Sequence, residues 1–279
     1  MLTDYHVHLR PDEDGSTAER YFTPANVDRY RESADERGIE ELGVAEHIHR
    51  FVQSLEIWTH PWYRHWARDD LDEYCDFVRD SGLKLGIEAD YLPGREDRVA
   101  NLLEGRPWDY VVGSIHFLSD DAVDLHGEPD WEEWDVWRSS DPDKVWARYF
   151  ETLGEAARTG IFDILAHPDL VKVWGPEVPV PDGDLRRFYE RAMDGIADSD
   201  IAVEVSTAGL RKPAREIYPA AAFLEMCLEA GRPVALSSDA HLPEQLGFEY
   251  GRALELLDEL GVGEVAVFEG RSRRLEPVG

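Results

Sequence analysis

Short apolar, β-branched runs alternate with longer helix-patterned segments along almost the whole chain, and this rhythm limits the fold more than any other feature. Parallel strands cannot be joined by a tight hairpin, so a strand followed by a helix-length segment implies a crossover and a parallel sheet covered by helices. Strands are predicted at Leu2 to His8, Glu41 to Glu46, Lys84 to Glu88, Tyr110 to Ser114, Asp163 to Ala166, Ala202 to Val205, Val234 to Ser237 and Glu264 to Phe268. Helices are predicted between them, for example over Pro24 to Arg37, Asp143 to Arg158, Leu185 to Ala197, Ala220 to Glu229 and Gln245 to Leu260. Seven or eight such units fit one closed barrel. No linker rich in Gly, Pro or Ser divides the 279 residues, so one α/β domain is expected.

One segment breaks the rhythm. Residues 119–143, "SDDAVDLHGEPDWEEWDVWRSSDPD", are too polar for a strand and too long for an ordinary connection. Trp131, Trp134 and Trp137 recur every third residue there, and Trp58, Trp62 and Trp66 recur every fourth. Either set could pin its segment to the fold or form part of a lid over a substrate; the pinning role is favoured.

Charge narrows the partners. With 29 Lys and Arg against 59 Asp and Glu, the formal net charge is -30, which repels phosphate backbones wherever no local cationic patch exists. Nucleic acid is therefore not expected as a partner. Only 4 of the basic residues are Lys, a balance that would also suit salty surroundings. No apolar run approaches the roughly 18 residues of a membrane span, and the N-terminus lacks a signal-peptide pattern, so a cytoplasmic protein is expected. Cys75 and Cys227 lie in helix-patterned segments without other ligand types nearby, which fits buried thiols and not a thiolate metal site.

In a barrel of βα units the residues just after the strands build the active site. Here those residues are "DYHVHLR" with His6 and His8, "AEHIHR" with Glu46 and His47, "GIEADY" with Glu88, "GSIHFL" with His116, "LAHPDL" with His167, and "SSDAHL" with Asp239 and His241. A strand's period of two turns His6 and His8 to one side, ready to share an ion. Imidazole and carboxylate suit zinc, iron or manganese, and Glu88 could bridge two ions. So many donors exceed one ion's needs, and two to three divalent metal ions are expected. A cluster of that kind makes hydroxide at neutral pH and clamps phosphoryl oxygens. His49, His60, His65 and His126 show no such register, and solvated or structural roles are favoured for them.

These residues resemble the polymerase-and-histidinol-phosphatase (PHP) superfamily: an HxH on strand one, an acid-His pair after strand two, a Glu after strand three, two isolated histidines and a terminal DxH. Within it, "STAGLRKPAREIYP" (206–219) and "HPDLVKVWG" (167–175) are similar to segments of histidinol-phosphate phosphatases. The resemblance implies a distorted (β/α)7 barrel with three metals on its rim. By position, His6, His8, Glu88 and Asp239 would hold one metal, Glu88, His116 and His167 a second, and His47 and His241 a third. Asp14 stands where the family has another third-site histidine. Arg211 stands at a family phosphate-binding arginine, and Lys172 replaces a second one.

The implied reaction is hydrolysis of a phosphomonoester, L-histidinol phosphate to L-histidinol and phosphate, in line with the leaving alkoxide. A third-metal water, Asp239 or His241 could protonate that alkoxide. Alternatives are a PHP phosphoesterase for another small phosphorylated substrate, a metal-dependent amidohydrolase, and a non-catalytic PHP binding module. Amidohydrolases need neither the acid-His pair after strand two nor the terminal DxH, and non-catalytic modules tend to lose ligands.

Overall fold

The computed structural model describes residues Met1–Gly279. Its strands in chain order are β1 Thr3–Asp4, β2 Glu41–Val44, β3 Lys84–Leu85, β4 Glu88–Asp90, β5 Val112–Ser114, β6 Phe117–Leu118, β7 Asp121–Ala122, β8 Ile164–Leu165, β9 Ala202–Ser206, β10 Val234–Ser237, β11 Glu264–Glu269 and β12 Ser272–Pro277. One parallel sheet has the order β1-β2-β3, and a second has the order β4-β5-β8-β9-β10. Two isolated parallel bridges lie between them, Val7 with Ala240 and His47 with Glu88.

Helices return the chain between parallel strands, and their ends follow from local sequence. Pro142–Arg158 starts with Pro in its first turn and an Asp141 carboxylate that accepts the Asp143 N–H, then buries Val145, Trp146, Tyr149, Phe150 and Leu153 at helical spacing. Leu71–Ser81 is capped by Asp70 and ends at Gly82, whose φ of 72° only glycine adopts without strain.

Four expectations change in detail. The strand predicted over Leu2 to His8 shrinks to Thr3–Asp4, because beyond it the backbone pairs at single points, the His8 N–H donating to Ala240 O at 2.7 Å. The predicted strand near Glu264 does form, but β11 pairs antiparallel with β12 and lies outside both parallel sheets. Gly270 and Arg271 both take positive φ, as a two-residue hairpin turn of the I′ type demands. The predicted helix over Gln245 to Leu260 begins only at Tyr250, since Gly247 and Glu249 sit in the left-handed region. Polarity did not keep residues 119–143 free of strand either: β6 and β7 form a short antiparallel hairpin at the segment's start.

Most apolar side chains join one cluster that runs from Val7 to Val265. A smaller one gathers Tyr5, Tyr110 and Phe268 among alanines, with the Tyr5 and Tyr110 rings 5.0 Å apart. Gly43 and Gly86 leave the room that the fully buried Tyr110 fills, for a Cβ on either would stand inside its ring. Gly86→Ala should therefore cost about 1–3 kcal/mol and lower the melting temperature by several degrees. Gly251→Ala, in a helix with open space around it, should be neutral or mildly stabilising in the same melts.

Candidate functional site

Glu88 is the centre around which the histidines collect. Its carboxylate is 1% exposed; His6 Nε2 lies 3.3 Å from Oε2, and His116 Nε2 and His167 Nε2 lie 3.4 and 3.2 Å from Oε1. His47 Nδ1 contacts Oε2 as well, and His8 Nε2 stands 3.7 Å away. Asp239 Oδ1 lies 3.4 Å from His8 Nε2, 3.9 Å from His6 Nε2 and 3.5 Å from His241 Nδ1. These side chains come from the ends of β1, β2, β5, β8 and β10 and from β4 itself, so one end of the parallel strands supplies the whole group.

A second layer aims the rings. Glu204, on β9, meets His6 Nδ1 at 2.8 Å and accepts the His167 backbone N–H at 2.5 Å, leaving His6 Nε2 to face Glu88. Asp90 does the same for His116 Nδ1 at 2.7 Å, and the Tyr63 hydroxyl donates to its other oxygen at 2.6 Å. Carboxylates on the far nitrogen fix tautomer and orientation in this way at metal sites. His167 and Asp239 have φ values of 26° and 48°, unusual for residues with a Cβ and a mark of backbone held under strain where a side chain must be aimed.

The donor set fits metal ions. Three groups have one donor atom per residue within 4.8 Å of one another: His8, His47 and His241; His6, Glu88 and His167; and His6, His8 and Asp239. Donors about 2.0–2.2 Å from a shared ion span such distances. His6 Nε2, both His8 nitrogens and His167 Nδ1 are shielded from solvent and have no hydrogen-bond partner. Left so, each costs about 1–3 kcal/mol, and coordination would remove that cost. Burial, with His241 and His47 adding to it, pushes the His8 imidazole well below its ordinary pKa, which leaves it neutral and free to ligate. Burial opposes protonation of His6 too, but Glu204, Glu88 and Asp239 outweigh it and raise that pKa well above the ordinary value. The site attracts positive charge.

Asp14 does not join this group. Its carboxylate is 82% exposed and lies 2.8 Å from His65 Nε2. Asp12 stands there instead, with Oδ2 2.7 Å from His241 Nε2 and 3.5 Å from His47 Nε2, while Arg50 donates to its other oxygen. Counting six positions from the second His of HxH assumed a loop of fixed shape. The turn through Pro11 to Gly15 presents an acid two residues earlier.

A cleft of about 350 Å³ opens onto the cluster. Trp62, Trp66, Trp131 and Trp174 line it, with Asp124 and Lys212 also in the lining. Trp131 packs on Trp62 at 4.9 Å, whereas Trp137 is buried and donates its indole N–H to Val123 O. The insertion thus both anchors itself and walls the cleft. His49, buried and stacked on His47 at 4.8 Å, also reaches it. Glu46 instead accepts from the Leu9 N–H and Arg10, a buried structural pair.

Of the two cations predicted to bind substrate, Lys172 is held by the protein, while Arg211 keeps one terminal nitrogen buried without a hydrogen-bond partner. Arg211 donates to the Ser238 and Asp239 carbonyls at 2.8 Å. Lys172 is held by Asp169 at 2.8 Å, Glu216 at 3.1 Å and the Ile217 carbonyl at 2.9 Å. Asp12, Asp90, Asp124, Glu204 and Lys212 were missed from sequence. Asp90 and Glu204 left a faint signal, as acids placed inside apolar strand runs.

The chain matches the PHP domain family over residues 21–208. It is 31% identical over 257 residues to the "Probable histidinol-phosphatase" of Deinococcus radiodurans, a match covering 89% of this chain and 91% of that one. The chain belongs to the PHP family. Another relative of this PHP protein, named "Probable histidinol-phosphatase" in Schizosaccharomyces pombe, is 25% identical over 256 residues, covering 85% of this chain and 82% of that one. In fold, the PHP protein is similar to the crystal structure of histidinol phosphate phosphatase from Lactococcus lactis complexed with zinc, L-histidinol and phosphate. That likeness has a TM-score of 0.74 and 17% identity and covers 98% of each chain.

Proposed function

We infer that this PHP protein is a metal-dependent phosphomonoesterase that hydrolyses L-histidinol phosphate to L-histidinol and phosphate. One observation carries the reading: six histidines with Glu88 and Asp239 converge at a cleft, in a chain whose relatives bear the name histidinol-phosphatase. The two bridges between the parallel sheets support closure of the strands into a distorted (β/α)7 barrel, with the chain as a single unit. No helix is long and apolar enough to cross a membrane, and a small-molecule substrate suits the cleft.

His6, His8, Glu88 and Asp239 would hold one ion, Glu88, His116 and His167 a second, and His47, His241 and Asp12 a third. Bound there, two to three ions of zinc, iron or manganese supply charge neutralisation of the phosphoryl oxygens and a lowered pKa for water. The chain's own residues do the rest. Glu204 and Asp90 keep the rings of His6 and His116 in register. Against the push of burial, His6, His8 and His241 hold Asp239 ionised, well below the usual carboxylate range, which suits it to ligate a metal ion and makes it a weak base toward water. The tryptophan walls exclude bulk water and give the imidazole of histidinol an aromatic surface.

Phosphate release from L-histidinol phosphate by the metal-loaded protein, against a panel of other phosphomonoesters, tests the reading. Preference for histidinol phosphate by tenfold or more in kcat/KM is expected. Equal or better turnover of an unrelated phosphomonoester would assign this cleft another substrate.

A further inference from the structure

We propose that Asp4 is a positioning residue for the ion assigned to His6, His8, Glu88 and Asp239: its carboxylate takes the place of a backbone rung between β1 and β10 and so holds Asp239 opposite the two histidines. The inference rests on the metal-dependent reading and adds to it the side chain that sets how the two strands meet.

His6 and His8 follow β1, and Asp239 follows β10, yet β1 and β10 lie in different sheets. The Tyr5 N–H reaches the Leu236 carbonyl only at 3.4 Å. Close backbone contact resumes where Val7 bridges Ala240 and the His8 N–H donates to the Ala240 carbonyl at 2.7 Å. Ser238 falls between those two points. Its N–H donates to Asp4 Oδ1 at 3.0 Å, its hydroxyl donates to Asp4 Oδ2, and the Gly247 N–H donates to the same Oδ2 at 3.2 Å. One side chain of β1 therefore binds both the loop that carries Asp239 and the turn that leads into the helix Tyr250–Glu259.

Asp239 needs such a grip. Its φ of 48° is a conformation that a residue with a Cβ keeps only when its surroundings fix it. Asp4 holds the preceding N–H from one side, and one terminal nitrogen of Arg211 holds the Ser238 and Asp239 carbonyls from the other at 2.8 Å. With the backbone so held, Asp239 Oδ1 stands 3.4 Å from His8 Nε2 and 3.9 Å from His6 Nε2. Asp4 is not itself a ligand, for it belongs to none of the three donor groups. Asp4 and Ser238 are both fully buried, and the partners of Asp4 are Ser238, Gly247 and Tyr250, none of them a cation. A carboxylate is costly in such a place, but an apolar side chain there would leave the Ser238 N–H without an acceptor.

The probe is zinc: protein loaded to its full complement is challenged with a chelator, and the zinc retained is read by elemental analysis without any substrate. Asp4→Asn keeps the size and an acceptor for the Ser238 N–H but sets an amide N–H₂ against the Gly247 N–H. It should stay folded by circular dichroism and release one zinc equivalent at about tenfold or more lower chelator concentration, while the remaining zinc behaves as in wild type. Excess zinc should then restore kcat for L-histidinol phosphate with KM within twofold, which a merely destabilised fold would not show. Ser238→Ala, which removes only the hydroxyl bond, should show the same selective loss by a smaller factor, and it decides the matter where Asp4→Asn does not fold. A folded variant that retains all its zinc at wild-type chelator concentrations overturns the proposal, as does a loss spread evenly over every ion. Wild-type protein that takes up no zinc would remove the metal centre and this proposal with it. Selective zinc loss in a protein that does not hydrolyse histidinol phosphate would change the substrate and leave the role of Asp4 standing.

Discussion

Glu88→Gln should lose metal and lower kcat by roughly a thousandfold or more, equivalent to about 4 kcal/mol in the barrier. No other carboxylate in the chain lies so near to five imidazoles, those of His6, His8, His47, His116 and His167. Replacing it with an amide keeps the shape but removes the negative charge that two ions would share. The amide N–H₂ would also point a donor at nitrogens that must stay free to ligate. Metal analysis of the purified variant, beside circular dichroism to show that the fold persists, checks this directly. A folded Glu88→Gln protein with full metal content and near-normal turnover would remove Glu88 from the centre of the site.

Asp12→Ala should cost one metal equivalent and about 10–100-fold in activity, while Asp14→Ala leaves both within twofold of wild type. The contrast is sharp because the two acids are two residues apart in one turn. Asp12 sits 2.7 Å from His241 Nε2 and is steadied by Arg50, whereas Asp14 is exposed and tied only to His65. A carboxylate in place of a neutral imidazole favours a harder ion at this position, so Asp12→His should shift the metal bound there from iron or manganese toward zinc. Metal content by elemental analysis reads all three variants. If Asp14→Ala loses the metal and Asp12→Ala does not, the turn takes a different conformation when the ions are bound.

The βα rhythm and the residues that follow each strand were legible because both depend on local chemistry. Apolar runs of strand length separated by helix-length segments permit little except parallel pairing, and a histidine placed just after such a run goes where the strand points. That is how His6, His8, His47, Glu88, His116, His167, Asp239 and His241 could be named from sequence. Pairing partners were harder. The predicted strand near Glu264 has the composition of a sheet strand, and only the turn at Gly270 and Arg271 decides that it folds back on β12.

Side chains that act through space were decided by the tertiary structure alone. Glu204 lies 198 positions from His6, and only the packing of β9 among its neighbours makes them partners. Arg211 and Lys212 are adjacent in sequence, yet the fold turns one Arg211 nitrogen to the Ser238 and Asp239 carbonyls while Lys212 lines the cleft. Asp12 and Asp14 differ by a bend in a loop. The amino-acid order determined which chemistry the strand ends could bring together, because strand direction is a local property. Which acid or cation completes it depends on loop paths and on competition for hydrogen bonds, and those are settled only when distant segments meet.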